Sequence, residues 1–564
     1  MATLIVPGVQ VQARFDIVPP LPAASGIVGV VGLVDRAPAD GALVGVTRTS
    51  ELREILGPGT EASMPEAVHA LANGAAEVVV SAVPGGARAQ TELRNPDGAV
   101  CVRLVCRAAG AWGNELRADL QAVTGADNAP VRVTLRLLRG GRVAETFSDL
   151  RVAPGQPDDL FETINRNSRH VVALDPGFGA GTLPADGTFA FAADGAPLPV
   201  KEAAGARDLL QLLPGDGVDP SGLSVQITAT GPRIGLRVSQ RGLQESYAGL
   251  SMDPDDERYL PDVLLREGRL VRARILPSLP AEARLPRGTD APQDFSGGSS
   301  PGVADYATAI DRLEDDPRID LVLASVEAAR PGPEVAGIHQ ALLAHAVRMA
   351  DAAAPRIAFG AVTPAEQGSP DAIRAHAAAV RGRRFVLVSP SGAAGAVAGA
   401  IGRLSPEIAP TFKPLPLFDI APARYRESEL NRLLGPGTNL FVVQDRIGVG
   451  VVALKGIDTT GDQISVTRVA DSAIRETKAT AERFIGTTNT DEARTALRQQ
   501  LVATFTRMER AGWLVPSTDG TDPAFLVDVY STQQDFGQGI VRVDVAVRPV
   551  RAIDYVYATI RVKV

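Results

Sequence analysis

Cysteine is nearly absent: Cys101 and Cys106 are the only two among 564 residues. Two thiols cannot staple a chain of this length, so a disulfide framework is excluded and a reducing compartment suits the protein. They stand five apart in a strand-like segment, so alternation points them to opposite faces. Aromatics are also scarce, with 16 Phe, 7 Tyr and 2 Trp. The cores must therefore be built from Val, Leu, Ile and Ala. The five histidines are His69, His170, His339, His345 and His376. None shows the H-E-x-x-H or H-x-E spacing of a zinc site and none lies near a cysteine. His339 and His345, six apart, do not share a helix face.

Other absences narrow the function further. The net charge is −8 and no Lys/Arg block stands out, which removes the basic footprint of a nucleic-acid binder. The longest apolar stretches, Ala23 to Val34 and Ser391 to Ile401, fall short of the ~20 residues that span a bilayer. Met1 to Gly8 lacks the basic region of a signal peptide, so neither export leader nor membrane insertion is expected. No Walker loop and no G-x-S-x-G elbow occurs,. The small-residue run after Ser389 could cradle an anion, but close packing is the better reading. Asp255 to Glu257 and Glu314 to Asp316 read as solvated acidic loops. No cofactor, metal or catalytic residue is assigned.

What is present is an α/β pattern that stops and resumes. Ile27 to Val34 and Glu77 to Val83 are apolar runs of the kind buried on both faces of a parallel sheet,. Ser63 and Glu66, spaced as a capping box, open a helix between them,. From about 98 to 280 the chain alternates with period two, as at Val131 to Leu137,. Helices then return over 305–315 and 334–352, with strands over 320–324, 356–361 and 385–388. The simplest account is one α/β core split by a β-rich insertion.

The insertion contains a repeat. Glu145 to Leu150 recurs as Glu245 to Leu250, and at the same offset of 100 Leu160, Ile164, Arg166, Arg169 and Val171 meet Leu260, Leu264, Arg266, Arg269 and Val271. Two related modules follow from this register. The expected organisation is a multidomain α/β (α+β) chain. It comprises an arm and linker over 1–22, core over 23–97 and 291–425, and an insertion over 98–290 with modules of about 98–195 and 196–290. A C-terminal domain over 426–550 and a strand arm over 551–564 complete it.

Both ends are strand-like. Ile5, Val6, Val9 and Val11 mark the first arm; Tyr555, Val556, Tyr557, Ile560 and Val562 mark the last. An exposed strand edge invites pairing, here within the subunit or with a neighbour's sheet. Each strand hydrogen bond contributes roughly 0.5–1.5 kcal/mol, while ordering costs roughly 1–2 kcal/mol per residue. An arm alone therefore roughly breaks even and needs side-chain burial to set. Head-to-tail exchange of such arms does not close on a dimer and builds rings or helices.

An ordered set of motifs adds a resemblance. It runs from Val6-Pro-Gly-Val9 through Gly110-Ala-Trp-Gly-Asn114, Ile164-Asn-Arg-Asn-Ser168 with Val171-Val172, and Asp305-Tyr306 with Leu313-Glu314 and Ile319. It ends with Leu430-Asn431 before Gly437-Thr-Asn439 and with Phe484-Ile-Gly-Thr-Thr-Asn489 ahead of a helix over 490–511. In these the chain resembles the tail sheath proteins of contractile phages and phage-tail-like injection systems. The resemblance implies a structural, non-enzymatic subunit that stacks with copies of itself as a helical polymer around an inner tube. It implies terminal arms that complete sheets on neighbours, and baseplate and terminal cap proteins as further partners. It also implies assembly in the bacterial cytoplasm into a virion tail or phage-tail-like particle. The tube contact is expected at the 428–434 helix or, on the 490–511 helix, at Arg494 and Arg498. The alternative reading is an α/β enzyme or carbohydrate-binding protein with β-rich accessory modules.

Overall fold

The computed structural model describes residues 26–38, 41–125, 130–178, 182–205 and 207–554. The N-terminal arm predicted from sequence, the C-terminal arm beyond residue 554, and all nine of their named residues lie outside these segments. The chain starts with β1 (Ile27–Gly32), β2 (Val44–Val46), α1 (Thr49–Leu56), α2 (Thr60–Ser63), α3 (Pro65–Ala72) and β3 (Glu77–Ala82). Pro65 opens α3, where a missing N–H costs nothing,. The expected capping box does not form. The Ser63 hydroxyl donates to the Leu33 carbonyl at 2.5 Å, and the Glu66 carboxyl turns into the core, where Ser325 Oγ donates to it.

Between β3 and the return to the core the described residues form fourteen strands, so the insertion runs wider than the expected 98–290. The first module holds β4 (Gln90–Arg94), β5 (Val100–Cys106), β6 (Leu116–Thr124), β7 (Pro130–Arg139), β8 (Arg142–Leu150), α4 (Leu160–Asn167) and β9 (Val171–Leu174). The second holds β10 (Gly187–Ala190), β11 (Leu198–Lys201), β12 (Asp208–Pro214), β13 (Ser224–Thr230), β14 (Arg233–Gln240), β15 (Leu243–Leu250), α5 (Leu260–Glu267) and β16 (Val271–Ile275); β17 (Gln293–Asp294) follows. Sheet β4-β5-β9 has its counterpart in β11-β12-β16, and β17-β6-β7-β8 in β10-β13-β14-β15. The repeat extends to irregularities. A bulge lets Leu150 and Phe147 face Val133 and Leu135, and a matching bulge lets Leu250 and Tyr247 face Ile234 and Leu236. Within it Asp149 and Gly249 both take a left-handed backbone, at φ 57° and 66°, which Gly adopts freely and Asp tolerates.

The core resumes with α6 (Val303–Arg312), β18 (Leu321–Ala324), α7 (Gly332–Asp351), β19 (Ile357–Ala361), α8 (Pro370–Ala379), β20 (Phe385–Ser389), α9 (Ala394–Arg403), α10 (Glu427–Leu433), β21 (Phe441–Arg446) and β22 (Gly450–Ala453). One eight-stranded sheet, ordered β2-β3-β1-β18-β19-β20-β21-β22, joins strands from both sides of the insertion. It is parallel except at its two outer pairs. Apolar residues fill both faces, against α3 and α9 on one side and α6, α7 and α8 on the other, which explains the unbroken apolar runs. The glycines of α9 serve packing: a Cβ on Gly395 or Gly399 would meet the carbonyls of Glu66 or Ala70 at 2.1 and 2.2 Å. The insertion leaves and re-enters at the carboxyl end of this sheet, after β3.

The acidic loops are ion-paired rather than merely solvated. Asp255 meets Arg103 at 2.6 Å, Asp256 meets Arg233 at 2.6 Å, and Asp316 meets Arg318 at 2.7 Å. Cys101 and Cys106 are free and buried, and burial pushes both thiols up to about 12, so neither is a nucleophile near neutral pH.

Glu66 carries a pH signature. Burial raises its carboxyl from an ordinary 4.5 to about 7, against the opposing hydrogen bond from Ser325. Below about pH 4.5 the folded and unfolded chains both hold this proton. Between 4.5 and 7 only the folded chain holds it, so stability falls as pH rises through that window and levels off above it. Glu66→Gln should therefore melt close to the parent at pH 5 and above it at pH 8. The gain should be on the order of 3 kcal/mol. Equal pH profiles in thermal unfolding would overturn this.

Candidate assembly surface

The C-terminal unit is built from α11 (Ile464–Glu482), α12 (Asp491–Arg510), β23 (Phe525–Tyr530), α13 (Gln533–Gly537) and β24 (Arg542–Val547). Thr490 caps α12 by accepting from the Ala493 N–H at 3.2 Å,. The apolar stripe of Leu497, Leu501, Phe505 and Met508 is buried, with the Phe505 ring 5.7 Å from Phe525. That packing seats a two-stranded antiparallel sheet of six residues a side on the helix. Alternation sends Val543, Val545 and Val547 toward the helix side and Arg542, Asp544 and Ala546 outward. Each of β23 and β24 has one edge without a partner strand among the described residues. Leu526, Phe536 and Ile553 are exposed nearby.

Sequence reasoning missed α11 because its buried face is largely polar: Ser465, Arg468, Asp471 and Thr480 are buried beside Ile464, Val469 and Ala473. These polar groups dock it on the core. Arg468 donates to the Leu404 carbonyl at 2.9 Å, beyond the carboxyl end of α9, and burial pushes it down to about 10. Arg475 donates to the carbonyls of Pro317, Ile319 and Pro355 at 2.6–2.8 Å. Asp471 accepts both forks of Arg384 at 2.7 and 2.9 Å. The docking lies at the amino ends of β18 and β19, opposite the insertion.

Both chain ends are anchored along this helix. The Gly26 N–H, first of the described residues, donates to Asp320 Oδ2 at 2.7 Å, and Arg475 sits 3.3 Å from the same carboxylate. At the other end the Gln463 amide clamps Ala552, accepting from its N–H at 2.9 Å and donating to its carbonyl at 3.0 Å, and also donates to Asp554 at 2.8 Å. Gln463 and Arg475 are twelve residues apart, a rise of ~18 Å along the helix.

Of the residues proposed from sequence, only Arg494 and Arg498 are described. Arg494 is half-buried and donates to Asn489 at 2.5 Å and to Asp491. Arg498 is exposed and its Nε donates to the Val527 carbonyl at 3.3 Å. The structure therefore places Arg498 where α12 meets β23. Of the helix over 428–434, realised as α10, only Leu433 is buried.

The histidines make contacts no spacing rule shows. His339 stacks on His376 with ring centroids 5.0 Å apart and nitrogens at 2.9 Å, and His376 reaches Glu366 at 3.0 Å. Burial, reinforced by His376, holds His339 well below 6.5. Asp311, Glu314 and His345 converge within 4.8 Å, but Arg348 already bridges both carboxylates and Arg356 donates to His345 at 2.7 Å. Guanidinium groups thus hold the place of a cation.

Gln463→Ala should release the terminal segment, since several hydrogen bonds of roughly 0.5–1.5 kcal/mol each are lost. Amide exchange at residues 549–554 should quicken about tenfold or more while α12 stays protected. Unchanged exchange at 549–554 would show that the clamp does not hold the root.

No protein-family model and no curated protein matches the chain. Solved structures do match. A sheath tail protein from Listeria innocua is 12% identical over 94% of this chain and 92% of its own, at a TM-score of 0.44. A sheath tail protein from Desulfitobacterium hafniense is 12% identical over 97% of each chain, also at 0.44. A chain of the anti-feeding prophage helical sheath in its contracted state is 14% identical over 49% of this chain and 78% of its own, at 0.35. Two of these are sheath tail proteins and the third is a chain of a helical sheath in its contracted state.

Proposed function

We propose that the protein is the structural subunit of a contractile sheath, polymerising helically around an inner tube and contracting to drive that tube through a target envelope. The observation that carries this reading is the two-stranded sheet β23–β24. Two strands of six residues are marginal by themselves, and their edges await partners. The strand-like arms, Ile5 to Val11 and Tyr555 to Val562, are the matching supply. One arm root is held at Gly26 and the other at Ala552, so neither arm needs to fold back on its own sheet. Donation of each arm to a neighbour is a heterologous contact that propagates rather than closes. Contraction is then a rigid-body rearrangement of subunits that stay tethered by their arms.

In this reading the partners are copies of the chain, an inner tube protein facing α12 through Arg494 and Arg498, and baseplate and terminal cap proteins. Assembly takes place in the bacterial cytoplasm. Among the described residues no helix is long and apolar enough to cross a membrane.

The test is deletion of residues 1–12. It should leave a folded monomer, judged by circular dichroism and size exclusion, that forms no tubes in negative-stain micrographs. Normal tubes from the deletion would sink the proposal. Reversing charge at Arg494 and Arg498 together should abolish assembly on the inner tube while leaving subunit folding intact, and unchanged assembly would exclude α12 as the tube contact.

A further inference from the structure

A cleft of about 690 Å³ lies where the core and the two modules of the insertion meet. Its walls come from the segment after β1, from α1, from α4 and from β16 with the end of α5. It is lined by seven arginines against four carboxylates, a positive pocket in a chain whose net charge is −8. Such focusing in a concave, partly dehydrated site draws anions.

Arg107 and Arg166 are committed, Arg107 to the Ser168 and Asn165 carbonyls and to Asp35, and Arg166 to Asp216. Arg272 and Arg274 are poorly served, Arg274 adding only a 3.4 Å hydrogen bond to Gln211. Arg272 lies 3.9 Å from Glu162 and 3.8 Å from Asp216, and Arg274 lies 3.5 Å from Glu162. The Nε atoms of both are buried without a hydrogen-bond partner, an arrangement that native structures rarely leave in place. Arg53 and Arg269 form no ion pair or side-chain hydrogen bond among the described residues. Arg36 is committed to the carbonyls of Arg266 and Glu54 and so fixes the cleft's edge. Burial, with Arg269 and Arg107 nearby, lowers its affinity for its own proton.

The repeat shows that folding does not require this charge. At the offset of 100, Arg272 and Arg274 of β16 correspond to Val172 and Leu174 of β9, which are fully buried. Helix α5 packs on β9, and α4 packs on β16 in the reciprocal position. One of the two equivalent contacts is sealed with aliphatic side chains, and the other is opened and lined with guanidinium groups.

We propose that this cleft binds a small, multiply charged phosphate anion, a polyphosphate chain or phosphate ester, between β16 and α1. Guanidinium forks match phosphate oxygens in pairs. Several converging arginines favour a multiply charged anion over the separate carboxylates of Glu162 and Asp216 now facing them. The site is independent of the assembly surface, which lies at the opposite end of the core sheet.

The experiment is isothermal titration calorimetry of the full-length protein with inorganic tripolyphosphate at low salt. Saturable one-site binding is expected. It should weaken roughly tenfold or more in Arg272→Gln/Arg274→Gln, which removes two charge-assisted hydrogen-bonding forks. Glu162→Gln removes the competing carboxylate and should tighten binding, a gain that misfolding cannot imitate. Arg117→Ala, on an exposed strand of the first module, should change nothing. Absence of saturable binding, or binding indifferent to both the arginine pair and Glu162, would overturn the proposal. Citrate binding as tightly as tripolyphosphate would overturn the assignment to phosphate.

Discussion

The pairing of β1 with β18 is the contact on which the rest of the molecule depends. Val28 to Val31 lie in parallel register against Leu321 to Ala324, and nearly three hundred residues separate the partners. A loop of that length costs only a few kcal/mol more to close than a short one, because the entropy grows with the logarithm of length. The insertion also folds into modules of its own, so the ends that it presents to the core stand near one another. The sheet order, with the chain's first parallel strand flanked by its second and third, is that of a doubly wound fold,. Both sides of β1 are therefore occupied by strands from different parts of the chain, and neither half of the core is complete without the other.

Much of this order is legible in the residues. The apolar runs at Ile27 and Glu77 mark central strands because a strand covered on both faces has no polar positions left to alternate. The offset of 100 is visible because modules sharing bulges and helix faces must keep the same residues at the same places. Glu145 and Glu245 illustrate this: each accepts backbone N–H groups 24 or 25 residues onward, Glu145 from Arg169 at 2.8 Å and Glu245 from Leu270 at 3.2 Å. The stripe on α12 is legible because its partner is a small apolar sheet.

What escapes a reading of the sequence shares one physical cause. Helix α11, the His339–His376 stack, the inward turn of Glu66 and the arginine-lined cleft all put polar groups where periodicity leads one to expect aliphatic ones. Arg356 is wholly buried between the Asp316 carbonyl at 2.6 Å and His345 at 2.7 Å. Burial pushes it down to about 10, with Arg475 adding to the effect. Nothing in its neighbours along the chain distinguishes it from a surface arginine. Partners are supplied by tertiary structure, and hydrophobic patterning is blind to them. The capping signal at Ser63 misleads for the same reason: both of its side chains found better-paid partners across the sheet.

The use of arginine rather than leucine to dock α11 has a mechanical consequence. Apolar faces are non-directional and tolerate sliding by part of a turn, since one set of aliphatic contacts replaces another at little cost. The guanidinium of Arg475 reaches three carbonyls from two segments, those leading into β18 and β19, and the two forks of Arg384 fit one carboxylate. Any slide breaks several of these at once and leaves charge buried without a partner, a penalty of several kcal/mol. Helix α11 is thereby locked in orientation as well as in position. A load applied at Gly26 or Ala552 would reach the core sheet by way of directional bonds, while among the described residues one edge of each of β23 and β24 is without a partner strand.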